Sequence, residues 1–89
     1  MTIKMIKFGI LLNSRPAGKE VALRMFQMIN GFIDEKEIIL DFAGVEILTP
    51  SFADELIHSL KDKYGEERKI KIENAETPTV KDTIATVMI

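Results

Sequence analysis

Polar side chains cluster where three apolar runs of the sequence each give way to the pattern of a helix. Hydroxyl and carboxylate oxygens at such points can accept hydrogen bonds from the free N–H groups of a first helical turn. An arginine placed beside them can pair with a carboxylate or bind an anion. We therefore take these polar positions as the candidate functional residues. They are Asn13, Ser14 and Arg15 after the first run, Asp41, Thr49, Ser51 and Asp54 after the second, and Asn74 and Glu76 after the third.

The hydroxyl groups of this set allow two interpretations. Ser14, and Thr49 or Ser51, suit helix caps, because a helix start needs oxygen acceptors. A phosphate on Thr49 or Ser51 would instead lie at a helix N-terminus, where the helix dipole stabilises it. Both residues are therefore candidate phosphorylation sites, although Asp54 and Glu55 in the same stretch of helix would repel a phosphate.

The charged residues of the set also allow two interpretations. Arg15 is expected to pair with Asp54 or Glu55 across two loops, which would hold the loops together. Alternatively, Arg15 binds an anion beside a phosphorylated hydroxyl. Asp41 is expected to accept a hydrogen bond within its own turn, as aspartates in turns commonly do.

The sequence offers little for catalysis or metal binding. His58 is the only histidine, there is no cysteine, and no matched carboxylate pair lies at metal-ligand spacing. We predict that His58 is an exposed residue on the polar side of its helix, at the same edge as Thr49 and Ser51. The tripeptide Ala17-Gly18-Lys19 lacks the upstream glycine and the following Ser or Thr of a P-loop. We therefore expect a protein that is not an enzyme and that holds no metal or cofactor.

Charge and composition narrow the classes of partner. The 89 residues suffice for one hydrophobic core, so we expect a single domain over residues 1–89. Lys and Arg number 12 against 14 Asp and Glu, and the basic group at 68–71 follows two glutamates, so no nucleic-acid-binding stripe is predicted. No apolar run is long enough to span a bilayer, and no signal-peptide pattern is seen. Together with the lack of cysteine, this composition indicates a cytoplasmic protein that does not act at a membrane.

Strand and helix patterns alternate along the sequence. Short apolar runs bounded by turns predict parallel strands, whereas apolar residues that repeat every three or four positions predict helices. The last segment is ambiguous. Thr77 and Pro78 suit the N-cap and first position of a helix, but residues 83–89 are rich in β-branched side chains and also suit a strand. The predicted strands are 2–12, 37–42 and 69–73, and the predicted helices are 16–30, 50–64 and one that begins at Pro78. Within 2–12, Gly9 indicates either a bulge or the end of a short leading strand.

This order predicts a small α/β domain of βαβαβα type, with a mostly parallel sheet of three or four strands and helices packed on it. Right-handed crossovers would bring the three strand-to-helix loops, and with them the candidate residues, to one edge of the sheet. We expect the side chains of Val45, Ile47 and Leu48 to be buried beneath the sheet. The strand 69–73 alternates isoleucine with lysine, which is typical of an edge strand, and either this edge or the apolar tail 87–89 could join two copies into a homodimer.

A family resemblance is carried by residues 40–56. The stretch Leu40-Asp-Phe-Ala-Gly-Val-Glu-Ile-Leu-Thr-Pro-Ser-Phe-Ala-Asp-Glu-Leu56 resembles the STAS-like family of small bacterial and phage proteins of unknown function. Its most specific part is the Ser-Phe-Ala-Asp-Glu-Leu run at 51–56 after a strand that ends in Leu-Asp-Phe. Arg15, with Ala17 soon after it, also fits the first strand-to-helix junction of that family. The resemblance implies a STAS-like fold over most of the chain.

That family is similar to STAS domains, which include anti-sigma-factor antagonists. Those antagonists bind a kinase-type anti-sigma partner, so the resemblance implies a protein partner of the GHKL-type ATPase or kinase class. In the antagonists, a serine at the start of the helix after the central strand is phosphorylated to break the complex, in a pattern close to Asp-Ser-Ser-Gly. The matching positions here are Thr49-Pro50-Ser51-Phe52, with proline in place of the usual phosphoserine. The resemblance thus implies the interaction surface and not the phosphorylation switch.

Three functional hypotheses follow. The first is a non-enzymatic regulatory module that binds a partner protein through residues 49–58. The second is a domain that senses a small anion or nucleotide at the same edge, with Arg15 as the receptor. The third is a small phosphocarrier-type enzyme, which ranks last because no nucleophile is clearly activated. The edge shared by the first two comprises Ser14, Arg15, Asp41, Thr49, Ser51, Asp54, Glu55 and His58.

Overall fold

The computed structural model describes residues 1–31, 36–65 and 67–88. Within them, strands and helices alternate as the sequence predicts. One short 3-10 helix, Met5–Phe8, interrupts the first predicted strand. The strands are β1 (Thr2–Lys4), β2 (Leu11–Leu12), β3 (Glu37–Asp41), β4 (Ile47–Leu48) and β5 (Lys69–Glu73), and the helices are α1 (Arg15–Asn30), α2 (Pro50–Tyr64) and α3 (Pro78–Val87).

The strands form two parallel sheets. The larger is a three-stranded sheet in the order β1-β3-β5, in which Leu40 of β3 lies between Ile3 and Ile72. The smaller pairs β2 with β4, and Leu11 lies opposite Ile47. All pairings are parallel, so the predicted α/β class is confirmed, as is the edge position of β5.

The first predicted strand is divided in two, which agrees with the interpretation of Gly9 as the point where a short leading strand ends, although β1 already ends at Lys4. Residues 5–8 coil into a 3-10 turn in which Met5 is completely buried. Gly9 follows with φ 135°, a backbone region that favours glycine, and its N–H donates to the Ile6 carbonyl (3.0 Å). The chain therefore leaves the β1-β3-β5 sheet and re-forms as β2, which pairs with β4 instead.

The segment between β3 and α2 also differs in part from the prediction. Val45 and Leu48 are buried as expected, but Ile47 is 43 % exposed. Since Ile47 and Leu48 form a strand, their side chains must point to opposite faces, and only that of Leu48 reaches the core.

The ambiguous C-terminal segment is a helix as far as Val87, and Ile89 lies outside the described residues. Thr77 occupies the predicted N-cap position, but its side chain makes no capping hydrogen bond to the helix. Its hydroxyl donates instead to a carbonyl of the segment that contains β4, as do two other threonine hydroxyls. The three pairs are Thr77 with Val45, Thr79 with Glu46, and Thr83 with Leu48.

The core lies between the sheet and the helices, and α1 packs against α2 along much of its length. Gly18 lies at the closest approach of the two helices, where a Cβ atom would be only 2.6 Å from the Phe52 carbonyl oxygen. No helix in the described part of the chain is both long and apolar enough to cross a membrane. The most deeply buried large side chains are Ile3, Met5, Leu12, Met25, Ile29, Ile38, Leu40, Phe42, Leu48, Phe52, Leu56 and Leu60.

Candidate functional site

Two helices begin side by side at the end of the β2-β4 ladder. Because β2 and β4 are parallel neighbours, the residues that follow them emerge next to each other. Ser14 precedes α1 and Thr49 precedes α2, and the Ser14 N–H donates to Thr49 Oγ1 at 3.3 Å. This hydrogen bond joins the two helix starts directly.

The hydroxyls of Ser14 and Thr49 both serve as helix caps, as predicted. Ser14 Oγ accepts from the N–H of Ala17 (3.3 Å), and Thr49 Oγ1 accepts from the N–H of Phe52 (3.4 Å). Ser14 has φ 82°, an unusual value for a residue with a side chain. Ser51, the other capping candidate, is instead an exposed residue in the first turn of α2. Its hydroxyl is therefore more accessible than that of Thr49.

Arg15 connects the start of α1 to the first turns of α2. Its Nη1 donates to Asp54 Oδ2 at 3.0 Å and to Glu55 Oε2 at 3.1 Å, so the predicted ion pair forms with both candidate carboxylates. These hydrogen bonds, first to Asp54 and then to Glu55, raise the pKa of Arg15 above its usual value. The Arg15 side chain remains 52 % exposed.

His58 extends this group by one helical turn. Its Nδ1 lies 2.9 Å from Asp54 Oδ1 and 3.0 Å from the Asp54 carbonyl oxygen, and the residue is exposed as predicted. Asp54 therefore lies between Arg15 and His58. With one arginine against two carboxylates, Arg15, Asp54 and Glu55 together carry an excess negative charge.

Asp41 has hydrogen-bond partners of its own. It ends β3, where its Oδ1 accepts from Asn74 Nδ2 (2.8 Å) and from the N–H of Ala43 (2.9 Å), so the expected bond within its own turn is present. The hydrogen bond from Asn74, followed by that from Ala43, lowers the pKa of Asp41. These bonding partners are not those of Arg15 and Thr49.

The lowered pKa of Asp41 predicts a pH-dependent contribution to stability. A carboxyl whose pKa is lower in the folded state stabilises the fold above its unfolded value of about 3.9, and this contribution is lost as the pH falls through the folded value. Wild type should therefore be more stable than Asp41→Asn at pH 7, and the gap should close below about pH 4. Urea unfolding of both proteins from pH 7 to pH 2 measures the gap. A gap that does not change with pH would contradict the assignment.

Removal of Arg15 is expected to change stability only slightly, in a salt-dependent way. Its ion pairs are exposed, so salt screens them, and Arg15→Ala leaves the carboxylates of Asp54 and Glu55 unopposed. The melting temperature should fall slightly at about 0.01 M salt, with the difference largely gone at about 1 M. Lys71→Ala is a matched control, because Lys71 forms an exposed ion pair of the same length (3.0 Å) with Glu37, away from the two helix starts. An equal loss at both salt concentrations would show that Arg15 acts through packing.

The interactions at these residues are hydrogen bonds and ion pairs that join the two helix starts. The hydroxyls of Ser14 and Thr49 hold helix starts, and the described residues include no group of three or more His, Asp or Glu side chains that could hold a metal ion. Gly18 was not among the sequence candidates, although it allows the two helix starts to lie together. A glycine inside a predicted helix was its only signal in the sequence.

Comparison with known proteins places this arrangement in a family. The family model described as a STAS-like domain of unknown function (DUF4325) matches residues 26–80, more than half of the chain, including β3, β4, α2 and β5. No curated protein and no solved structure matches the chain. The chain belongs to the STAS-like domain family of unknown function.

Proposed function

We propose that the protein is a non-enzymatic regulatory module that binds a partner protein through residues Thr49–His58, which we call the α2 corner. The observation that carries this proposal is the attachment of the corner to α1 by hydrogen bonds and ion pairs. Ser14 holds Thr49 through its backbone N–H, and Arg15 holds both Asp54 and Glu55. A surface that is ordered before binding loses less conformational entropy when a partner arrives.

The side chains of the α2 corner indicate the chemistry of the partner. Pro50, Ser51 and His58 are exposed, and Asp54 and Glu55 are partly exposed and carry the negative charge. A complementary partner would present basic and hydrogen-bonding groups. Resemblance to anti-sigma-factor antagonists supports a GHKL-type ATPase or kinase as that partner, with the complex acting in the cytoplasm.

A second candidate function is the sensing of a small anion or nucleotide by Arg15. The half-exposed guanidinium beside two helix N-termini favours it. The two carboxylates within 3.1 Å of Arg15 oppose it, because they would repel an arriving anion. A rise in melting temperature with ATP or GTP that Arg15→Ala abolishes would favour this second function over the first.

Affinity capture from the protein's own cell, read by quantitative mass spectrometry, tests the first function. Ser51→Tyr adds bulk to the α2 corner, whereas Thr86→Tyr makes a comparable change at an exposed threonine of α3. We expect a protein that co-purifies with wild type and Thr86→Tyr but is reduced at least about tenfold with Ser51→Tyr, as for a central interface position. The same spectra report any phosphate on Ser51 or Thr49.

Two results would count against this proposal. One is a capture in which no protein co-purifies specifically with wild type. The other is equal capture of every partner by all three proteins, because binding would then use another surface. Circular dichroism of both variants shows whether the helices remain intact.

A further inference from the structure

The strand β2 has an open edge. Its Ile10 and Leu12 carbonyls face β4, where they accept from the N–H groups of Ile47 (3.3 Å) and Thr49 (2.9 Å). Because backbone groups alternate along a strand, the N–H and C=O of Leu11 must point the other way. Within the described part of the chain, β2 pairs only with β4, so this side of Leu11 can accept another strand.

Apolar side chains surround the open edge. Leu11 is 62 % exposed and Ile10 52 %, and Ile47 lies beside Leu11 on the outer face of the β2-β4 ladder. The edge strand β5 is different, because Lys69 and Lys71 are exposed there and lysines discourage edge-to-edge pairing. The strand β2 consists of two leucines, so it has no lysine that would discourage pairing with another strand.

A groove of about 210 Å³ lies between the open edge and α1. Leu11, Val21 and Phe8 contribute apolar surface to it, and Glu20 and Arg24 line it from α1. Glu20 and Arg24 pair with each other at 2.8 Å, and both side chains are more than 60 % exposed. The surface therefore presents an open strand, an apolar groove, and one negative and one positive side chain along the helix.

We propose that this surface, comprising the edge of β2 and the Glu20–Arg24 side of α1, is an interface between two copies of the chain related by a two-fold axis. The second copy adds its β2 antiparallel to the first, and the two Leu11 residues exchange N–H···O=C hydrogen bonds across the axis. This surface is distinct from the α2 corner, so it does not depend on the proposed regulatory function.

Charge complementarity favours a second copy as the occupant. Three extended residues from Leu11 to Ser14 span about 10 Å, and α1 returns that distance in about six to seven residues at 1.5 Å each. Leu11 therefore lies level with residues 21–22 of α1, midway between Glu20 and Arg24. A two-fold axis at Leu11 makes the two α1 helices antiparallel, so each Glu20 faces Arg24 of the second copy.

Sedimentation equilibrium of the full chain tests for the dimer. Wild type should sediment at twice the mass of the chain, whereas Leu11→Asp should be monomeric because it places a carboxylate at the axis. Leu23→Asp is the matched control. Leu23 is 50 % exposed but is not among the residues that line the groove, so this variant should remain dimeric. A wild-type monomer at millimolar concentration, or a Leu11→Asp dimer as tight as wild type, would overturn the proposal.

Charge reversal tests the antiparallel arrangement of α1. Glu20→Arg places two arginines on each copy, and Arg24→Glu places two glutamates, so each variant alone faces like charges twice across the axis. Each should dissociate at least about tenfold more readily than wild type. A 1:1 mixture of the two variants should restore the dimer, because two arginines then face two glutamates. A mixture that remains monomeric would overturn the arrangement, because opposite charges would then face each other across the axis without forming the dimer.

Discussion

Gly18→Ala is expected to lower the free energy of unfolding by about 2 kcal/mol. The new Cβ atom would lie 2.6 Å from the Phe52 carbonyl oxygen and 3.2 Å from its Cα. Backbone atoms cannot rotate away as a side chain can, so α1 and α2 must separate, at a cost of about 3 kcal/mol for overpacking. The higher helix propensity of alanine offsets about 1 kcal/mol of this cost.

Gly31→Ala is the matched control for this prediction. Gly31 follows the last residue of α1 with φ −74°, and a Cβ there meets only the Met28 carbonyl oxygen, at 3.6 Å. This variant should be as stable as wild type or slightly more so. Urea denaturation measures all three proteins. If Gly18→Ala were as stable as Gly31→Ala, the two helices would not be in backbone contact at residue 18.

Thr83→Val is expected to cost about 1–3 kcal/mol. The Thr83 hydroxyl is buried and donates to the Leu48 carbonyl at 2.7 Å. Valine has nearly the same shape and fits the site, but it leaves a buried carbonyl without this donor. Since Leu48 immediately precedes Thr49, loss of the bond should also loosen the chain that leads into the α2 corner.

Thr86→Val controls for the loss of a threonine hydroxyl in the same helix. Thr86 is exposed, and its hydroxyl bonds only to the Asp82 carbonyl one turn back. Its removal should change stability by no more than about 0.5 kcal/mol. Thermal and urea unfolding compare the two variants with wild type. Equal stability of Thr83→Val and Thr86→Val would mean that the bond to Leu48 contributes nothing.

The features that the sequence predicted correctly depend on neighbouring residues. Helix periodicity and the Ser14 and Thr49 caps are local patterns, because a capping oxygen acts within three residues of itself. The Arg15 pairs with Asp54 and Glu55 span about 40 residues. They were nevertheless predictable, because parallel strands bring successive helix starts to one edge.

The features that the sequence did not predict depend on packing between distant segments. Ile6–Leu12 is apolar enough for a buried strand, and Gly9 indicated a bulge or the end of a leading strand. The sequence did not predict that residues 5–8 form a 3-10 turn in which Met5 is buried. After that turn the chain continues as β2, which pairs with β4. The sequence around Gly18 does not show that a side chain would be excluded there, because the atoms that exclude it belong to the Phe52 backbone, 34 residues away in α2.

These packing details hold the α2 corner in place. The close contact at Gly18 and the threonine contacts of α3 fix α2 and β4, and the Ser14 and Arg15 bonds fix the start of α2 on α1. The α2 corner is therefore held from three directions. This is the physical basis for proposing it as a preformed partner-binding surface.

Chemical-shift mapping of the ¹⁵N-labelled chain with its captured partner tests that proposal most directly. At 89 residues, every non-proline amide can be followed individually in one spectrum. The account predicts that the largest shifts on partner addition fall on the amides of Ser51 to His58, and that Ser51→Tyr suppresses them. Shifts confined to β5 and α3, with the α2 corner unchanged, would contradict it.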